Sequence, residues 1–220
     1  VAYRWTPVSG VQFIVDPFTS SLFHSDITGM SSDGSVMCGQ GEDFNFGGVA
    51  FRWTAAQGVQ RLPVPVGVTE ASAEGISSDG QVIVGSTYGS GMVRHIMWTP
   101  DGMVDMGRTF GSDEHPFAVS LSGIAVMCGS QPSSGTAAIW SAQTGRVDLD
   151  DYLRGFGLDV PSDWVLWSCR NISDDGLTFA GTAVLPDGTN RGFIATVPAP
   201  VSFSLFFVAF GCTSLRRRRS

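Results

Sequence analysis

The sequence predicts an all-β protein, a propeller-like array of about four to five four-stranded antiparallel repeats, followed by a C-terminal transmembrane helix. Two observations lead to the array. Glycine is abundant, at 28 of 220 residues, and separates short runs rich in Val, Phe and Trp. This composition is typical of strands joined by tight turns. In addition, a unit of about 45 residues recurs, which is the length of a propeller blade.

Each unit has two halves. The first half places two apolar runs around a turn, usually Ser-Asp-Gly, which predicts a β-hairpin. It occurs at Asp26–Gly39, Ala73–Gly85, Ala118–Gly129 and Asn171–Gly181. The second half is a strand of the type Ala-Phe-Arg-Trp-Thr, found at Ala50–Thr54, His95–Thr99, Ala137–Ser141 and Gly192–Thr196. The N-terminus supplies only a second half, Ala2–Thr6 and then Gly10–Val15, which are predicted to be the outer two strands of one unit.

The tryptophans of the second halves are predicted to anchor one sheet on the next. They are Trp5, Trp53, Trp98 and Trp140, spaced 48, 45 and 42 residues apart. Each unit alone has two apolar faces, so the units must stack to bury them.

Pairing of Gly10–Val15 with the last unit would close a ring of four blades. Because four blades are few, we expect a truncated member of a larger ring. A short helix is predicted over Asp150–Phe156, ended by Gly157.

The charge distribution argues against nucleic-acid binding. All 13 basic residues are arginine, and four of them are clustered at the C-terminus. The rest of the chain has 9 arginines against 20 acidic residues, a net charge of about −11. Phosphate neutralisation supplies most non-specific affinity for nucleic acid, so no nucleic-acid partner is expected.

The cysteines and histidines favour structural roles. Cys38 and Cys128 occupy a repeat position where other units have Val84 and Ala180, which indicates a small buried apolar site. A disulfide between Cys128 and Cys169 of neighbouring units stays open as an alternative. No C-x-x-C pair predicts zinc. The histidines, at positions 24, 95 and 115, lack ligand-pair spacing and are interpreted as packed or exposed, with 24 and 115 in loops.

The recurring aspartates Asp33, Asp79 and Asp175 are predicted to cap their own turns, with a calcium or ligand ring as the less favoured alternative. The loop trio of aspartates at 148, 150 and 151 lacks calcium-loop spacing. No G-x-S-x-G nucleophile elbow or phosphate-binding loop is present. We therefore assign no catalytic, cofactor-binding or metal residue and predict that the protein is not an enzyme.

Four motif copies in register resemble the HAF-repeat family of probable extracellular bacterial repeats. The His-Ala-Phe start of that family appears in reduced form at Val49-Ala50-Phe51, Arg94-His95-Ile96 and Thr136-Ala137-Ala138. The resemblance covers residues 2 to about 196. It implies an exported protein with a propeller-like β fold and no known catalytic activity.

The C-terminal segment, residues 197–220, differs in composition from the repeat domain of residues 1–196. Val197, Pro198, Ala199 and Pro200 precede the mostly apolar run VSFSLFFVAFGCTSL at residues 201–215. A basic cluster of Arg216, Arg217, Arg218 and Arg219 follows. This layout resembles the PEP-CTERM sorting signal, except that Ala199 stands where the family usually has Glu. The resemblance implies processing near the Pro motif by an exosortase, a membrane transpeptidase-like enzyme.

Membrane physics agrees with that resemblance. Fifteen helical residues span about 22 Å, short of the roughly 30 Å hydrocarbon core. Arginine snorkelling and local thinning would supply the difference. The arginines favour a cytoplasmic C-terminus, which places the repeats outside. A buried element with a basic end and an uncleaved tail anchor are the alternatives.

The sequence thus predicts an exported bacterial surface or extracellular-matrix protein with a structural or adhesive role. Its expected partners are an exosortase-like enzyme, the inner membrane through residues 201–215, at least transiently, and exopolysaccharide as a candidate. The alternatives are a glycan-binding or glycan-cleaving propeller and a simple tail-anchored protein. A convergent acidic pair in a loop-lined pocket would favour the glycan-acting class.

Overall fold

The protein was examined as a computed structural model, which describes residues 2–14, 24–43, 47–89, 92–108, 114–129 and 135–199. Its strands form five antiparallel sheets, and within each sheet the strands are paired in chain order. The N-terminal hairpin contains β1 (Tyr3–Thr6) and β2 (Gly10–Phe13). Sheet 1 contains β3 (His24–Met30), β4 (Val36–Asp43), β5 (Gly47–Thr54) and β6 (Gly58–Arg61).

The remaining sheets repeat this order. Sheet 2 contains β7 (Glu70–Ile76), β8 (Ile83–Gly89), β9 (Met92–Thr99) and β10 (Gly102–Arg108). Sheet 3 contains β11 (Glu114–Val119), β12 (Ala125–Gly129), β13 (Ala138–Ser141) and β14 (Gly145–Asp148). Sheet 4 has three strands, β15 (Val165–Ile172), β16 (Thr178–Val184) and β17 (Asn190–Thr196). The predicted four-stranded antiparallel unit is therefore confirmed in three sheets.

The sheets stack through their first strands. β3 contacts β7, β7 contacts β11 and β11 contacts β15. Side-by-side first strands are the arrangement of inner strands in a propeller. No pairing between sheet 4 and the hairpin closes a ring within the described residues. The described residues also contain no helix long and apolar enough to cross a membrane, and the predicted helix at 201–215 lies outside them.

Tryptophan side chains fill the interfaces between neighbouring sheets, as predicted. Trp53, Trp98 and Trp140 are 8%, 4% and 8% exposed. Trp98 packs with Cys38 and other residues of sheet 1, and its indole N–H donates to the Pro63 carbonyl at 2.7 Å. Trp5 departs from the prediction at 62% exposure, because its face of the hairpin is covered by no described sheet.

Hydrogen bonds to the aspartate side chain hold each Ser-Asp-Gly turn, and the prediction that each aspartate caps its own turn is confirmed. In the turn of sheet 1, the Asp33 carboxylate accepts bonds from the Ser31 hydroxyl at 2.7 Å and the Ser35 amide at 2.9 Å. These bonds lower the pKa of Asp33 to about 2. Turns of neighbouring sheets also join, since the Ser32 amide donates to the Ser78 carbonyl at 2.8 Å.

The short helix α1 spans Leu149–Gly155, within one residue of the prediction. It buries Leu149 and Leu153 in the core between sheets 3 and 4. The chain leaves the helix at Gly157, whose φ of +80° is accessible to glycine at little cost.

The less favoured ring-closing pairing of Gly10–Val15 with the last unit is not formed among the described residues. β2 pairs with β1 instead, in register Tyr3 with Phe13. The hairpin packs on sheet 1, where Ala2 and Ile14 enter the cluster around Trp53. It therefore occupies the place of the outer half of a unit that precedes sheet 1.

Candidate functional site

The inner strands of the four sheets share a β-bulge at one repeat position. The bulged residues are Thr28, Glu74, Phe117 and Arg170, which we call the bulge row. A bulge interrupts pairing and re-aims its side chain, and bulges are common beside functional sites. In each case here the bulged side chain contacts a neighbouring sheet.

The contacts of the bulge row differ in chemistry. The Thr28 hydroxyl donates to the Ala73 carbonyl at 2.7 Å. Glu74 contacts His115 of sheet 3, with Oε1 at 3.1 Å from Nδ1. The Arg170 guanidinium lies over the Phe117 ring, 4.6 Å from its centroid. The same β-bulge therefore positions a neutral hydrogen bond at Thr28, a carboxylate–histidine contact at Glu74 and a cation–π contact at Arg170.

Among the four residues of the bulge row, Glu74 has the largest set of polar side chains around it. We call it the Glu74–His115 cluster, and it comprises Ser72, Glu74, Ser86, Tyr88, His95 and His115. The Ser72 hydroxyl donates to Glu74 Oε1 at 2.9 Å, and the Ser86 hydroxyl donates to Oε2 at 3.3 Å. Glu74 and His115 side chains are only 14% and 26% exposed. The cluster is a half-buried polar link between sheets 2 and 3.

His95 occupies the floor of this cluster. It is 1% exposed and stands where two other units have Ala50 and Ala137. Its Nδ1 lies 3.4 Å from the Ser86 hydroxyl. Burial, reinforced by His115, lowers the pKa of His95 to about 4. The imidazole is therefore neutral near pH 7.

The cluster contains serine, histidine and carboxylate but not the geometry of a catalytic triad. Ser86 Oγ is 3.3 Å from His115 Nδ1, and Glu74 Oε1 is 3.1 Å from that same nitrogen. In a triad the acid and the nucleophile use different imidazole nitrogens, so that one orients the ring while the other gives up its proton. The arrangement suits a shared hydrogen-bond network better than activation of Ser86.

Tyr88 closes one side of the cluster. Its pKa is raised by burial and by the negative charges of Glu74 and Glu70, while hydrogen bonds to Ser72 and Ser86 act in the opposite direction. The phenol is therefore a neutral hydrogen-bonding group that contributes no charge to the site.

A second polar group lies at the junction of β14 and α1. Glu114, 4% exposed, accepts a bond from Arg146 at 3.0 Å. The carboxylates of Asp148, Asp150 and Asp151 offer oxygens within 4.8 Å of one another. These acids already face cations, with Arg146 at 2.8 Å from Asp148 and Arg154 at 2.8 Å from Asp150. The trio is an ion-pair network at the helix start.

The start of the predicted sorting signal is part of the folded sheet region. Val197 is 1% exposed, and its amide donates to the Leu177 carbonyl at 2.9 Å. Pro198 and Ala199 are exposed. Pro200 and Arg216, Arg217, Arg218 and Arg219 lie outside the described residues.

The cysteines are all thiols in the described residues. Cys38, Cys128 and Cys169 are buried and free, so the disulfide left open between the last two is absent. Cys128 Sγ instead lies 3.7 Å from the Ser168 hydroxyl. The interpretation of the Cys38 and Cys128 positions as buried apolar sites is confirmed.

Sequence reasoning did not find the Glu74–His115 cluster. It placed His115 in a loop, whereas the residue lies in β11, and His24 likewise lies in β3. Two signals pointed to the cluster. His95 replaces an alanine of the repeat, and Glu74 stands where the first unit has Thr28. The repeat pattern of the sequence did not reveal the β-bulge that turns Glu74 towards sheet 3.

No protein-family profile and no curated protein matches the chain. Among solved structures the chain is similar to TolB from Acinetobacter baumannii, with 11% identity and a TM-score of 0.56 over 86% of this chain. It spans 44% of that protein's length. A TolB candidate from Agrobacterium tumefaciens matches with 15% identity and a TM-score of 0.47, covering 90% of this chain and 83% of that one. At this identity the likeness to the first protein shows the fold alone, a β-propeller-like array of sheets.

Proposed function

We propose that this protein is an exported, non-catalytic β-propeller-like scaffold of the bacterial surface or extracellular matrix, with a structural or adhesive role. One observation carries the proposal. The recurring residues of the repeat form contacts between neighbouring sheets. Trp98 packs against sheet 1, and the turns at Ser32 and Ser78 are hydrogen-bonded to each other. A repeat used in this way supplies a stacked surface rather than a reaction centre.

The geometry of the Glu74–His115 cluster supports a non-catalytic role. Ser86 and Glu74 share one nitrogen of His115, an arrangement that differs from the serine–histidine–acid relay of a triad. The rival glycan-acting class requires a convergent acidic pair. The aspartate trio beside α1 is engaged with Arg146 and Arg154, which favours a structural role for those carboxylates as well.

The C-terminal segment, residues 197–220, supports export and sorting. Its resemblance to a PEP-CTERM signal implies recognition by an exosortase-like enzyme, and the apolar run at 201–215 implies transient insertion in the inner membrane. The β-propeller-like fold shared with TolB is in keeping with an envelope location. Because Val197 is held in the sheet region, cleavage near Pro200 would release the protein with its repeats intact.

The direct test of sorting is mass spectrometry of the mature C-terminus, with the full chain expressed in a host that carries an exosortase system. We expect a C-terminus near Pro200. An intact end containing Arg216 to Ser220 would overturn sorting and leave a tail-anchored protein. Separately, turnover of any substrate in a panel of bacterial polysaccharides by the purified chain would overturn the non-catalytic assignment.

A further inference from the structure

A cleft of about 420 Å³ lies between sheets 1 and 2. One wall is the start of β5, at Gly47 and Gly48, and the other includes Glu70 at the start of β7. Arg61 and the apolar side chain of Val68 also line it. Its volume falls in the range of small-ligand sites.

The cleft exposes an open strand edge. β6 pairs with β5 only over Phe51–Thr54, and the last bond on this edge runs from the Leu62 amide to the Ala50 carbonyl at 2.9 Å. Pro63 and Pro65 follow, and a proline has no amide to donate to a ladder. Residues 47–49 of β5 consequently have no partner on this side among the described residues.

The open edge presents backbone groups that are not screened by side chains. In an antiparallel strand alternate residues point to the same neighbour, and Ala50 points outward to Leu62. Gly48, two residues earlier, therefore presents its N–H and C=O to the cleft. At Gly47 a side chain is excluded, because φ is +76° and a Cβ would lie 2.7 Å from Glu70 Cγ.

In the other two four-stranded sheets the fourth strand stops pairing near the same repeat position, within the described residues. In sheet 2, β10 continues beside β9 as far as the pair Arg94 with Arg108. In sheet 3, the Leu149 amide donates to the Ala137 carbonyl and α1 begins at once. In sheet 1 the edge beyond this position carries a pair of glycines, Gly47 and Gly48, and lies beside a cleft.

We propose that this cleft binds a short extended peptide segment of a partner protein, added as a strand to β5 at Gly48. Strand addition uses backbone hydrogen bonds for affinity and pockets for alternate side chains. Three extended residues span about 10 Å, which suits the length of the open edge. The inference goes beyond the proposed scaffold role by giving a partner class, and it holds whether or not the protein is exported.

The lining residues set the expected peptide chemistry. Val64 and Val68 offer apolar contact for one side chain, and the Glu70 carboxylate favours a basic residue beside it. Arg61 favours an acidic residue towards the β6 end. Saccharide sites usually provide aromatic stacking platforms, and the described lining has none. The cleft therefore fits an amphoteric β-strand rather than a sugar.

The test uses the purified full chain and a fluorescein-labelled, end-blocked hexapeptide, Lys-Thr-Val-Thr-Val-Glu, read by fluorescence anisotropy. Hydrogen exchange locates the complex. We expect saturable binding and slowed exchange within residues 47–50. Absence of binding at millimolar peptide, or protection confined to the open edge of β17, would overturn the proposal. So would a concentration-dependent dimer that buries this edge in ultracentrifugation, because a second copy would then be the occupant.

Variants on both partners make the test specific. Gly48→Pro removes the outward-facing backbone N–H of β5 and places a proline ring on the strand edge. We expect at least tenfold weaker binding of the peptide. Gly192→Pro, on the open edge of β17, is the matched control and should bind as the parent does. Should Gly48→Pro fail to fold, N-methylation of alternate peptide amides replaces it. Methylation of the alternate amides that face β5 should abolish binding, whereas methylation of the other alternate amides should not. Equal effects of the two sets would contradict strand addition.

Discussion

The interface between sheets 1 and 2 and the interface between sheets 2 and 3 have the same backbone geometry and different chemistry. In the first, the bulged residue Thr28 makes a neutral bond to a backbone carbonyl, and Trp98 packs in an apolar cluster. In the second, the bulged residue Glu74 contacts His115 over a buried His95. The repeat therefore determines where side chains meet, and single substitutions determine what they do there.

The largest expected effect tests the apolar interface. Trp98→Ala should lower the free energy of unfolding by about 3–5 kcal/mol, because it empties a buried site between sheets. Trp5→Ala is the matched control. Its side chain is 62% exposed, so a change of less than about 1 kcal/mol is expected. Urea unfolding measures both, and equal losses would contradict the assignment of Trp98 as an interface anchor.

The next effect tests the polar interface through pH. The pKa of His95 is lowered from 6.5 to about 4 by burial and by the charges of His115 and Arg146, while Asp105 acts in the opposite direction. Because the folded-state pKa lies below the unfolded value, the contribution of His95 is full above pH 6.5 and is lost as the pH falls through 4. The expected loss in unfolding free energy is about 3 kcal/mol.

The comparison with His95→Ala isolates that contribution. Urea unfolding between pH 7 and pH 4 should show a shallower loss in the variant, since the carboxylates that also titrate in this range are common to both proteins. A variant as sensitive to pH as the parent would show that His95 is not buried in its neutral form.

A smaller effect tests the bulge row directly. Glu74→Thr gives sheet 2 the residue that sheet 1 carries at this position, and it removes the carboxylate beside His115. We expect a loss of about 2 kcal/mol in unfolding free energy, because the carboxylate loses its hydrogen bonds to Ser72, Ser86 and His115. The imidazole signals of His115 in NMR should shift because the carboxylate beside Nδ1 is gone. Unchanged His115 imidazole signals would contradict the contact.

The smallest effect concerns the interface between sheets 3 and 4. Arg170 is exposed and lies over Phe117, so Arg170→Ala should cost only about 0.5–1 kcal/mol. Arg170→Lys is the control, since it keeps the charge but loses the planar stack. Thermal unfolding of the two variants would show whether stacking or charge carries the contact, and a loss above about 2 kcal/mol would place Arg170 in a larger network.

Local patterns were sufficient to predict the architecture. The Ser-Asp-Gly turns, the buried Trp53, Trp98 and Trp140, and the helix near Asp150 all follow from spacing and turn chemistry. These features depend on neighbours in sequence or on a strict repeat, so a single sequence reveals them.

The polar interface could not be predicted in the same way. Glu74 meets His115 only because a bulge shifts the register of β7 between Ala73 and Gly75. Bulges leave little trace in a period-2 pattern, and the partner lies 41 residues away. The pairing of β2 with β1, by contrast, was predicted from the repeat, since Ala2–Thr6 and Gly10–Val15 match the outer two strands of one unit.

The Glu74–His115 cluster links two sheets, and we infer that it does not activate Ser86. The most direct measurement is the intact mass of the purified chain after incubation with a fluorophosphonate, a reagent that forms a covalent adduct with activated serines. The account predicts an unmodified mass, because Ser86 and Glu74 share one nitrogen of His115. A stoichiometric adduct on Ser86 that disappears in Ser86→Ala would contradict it.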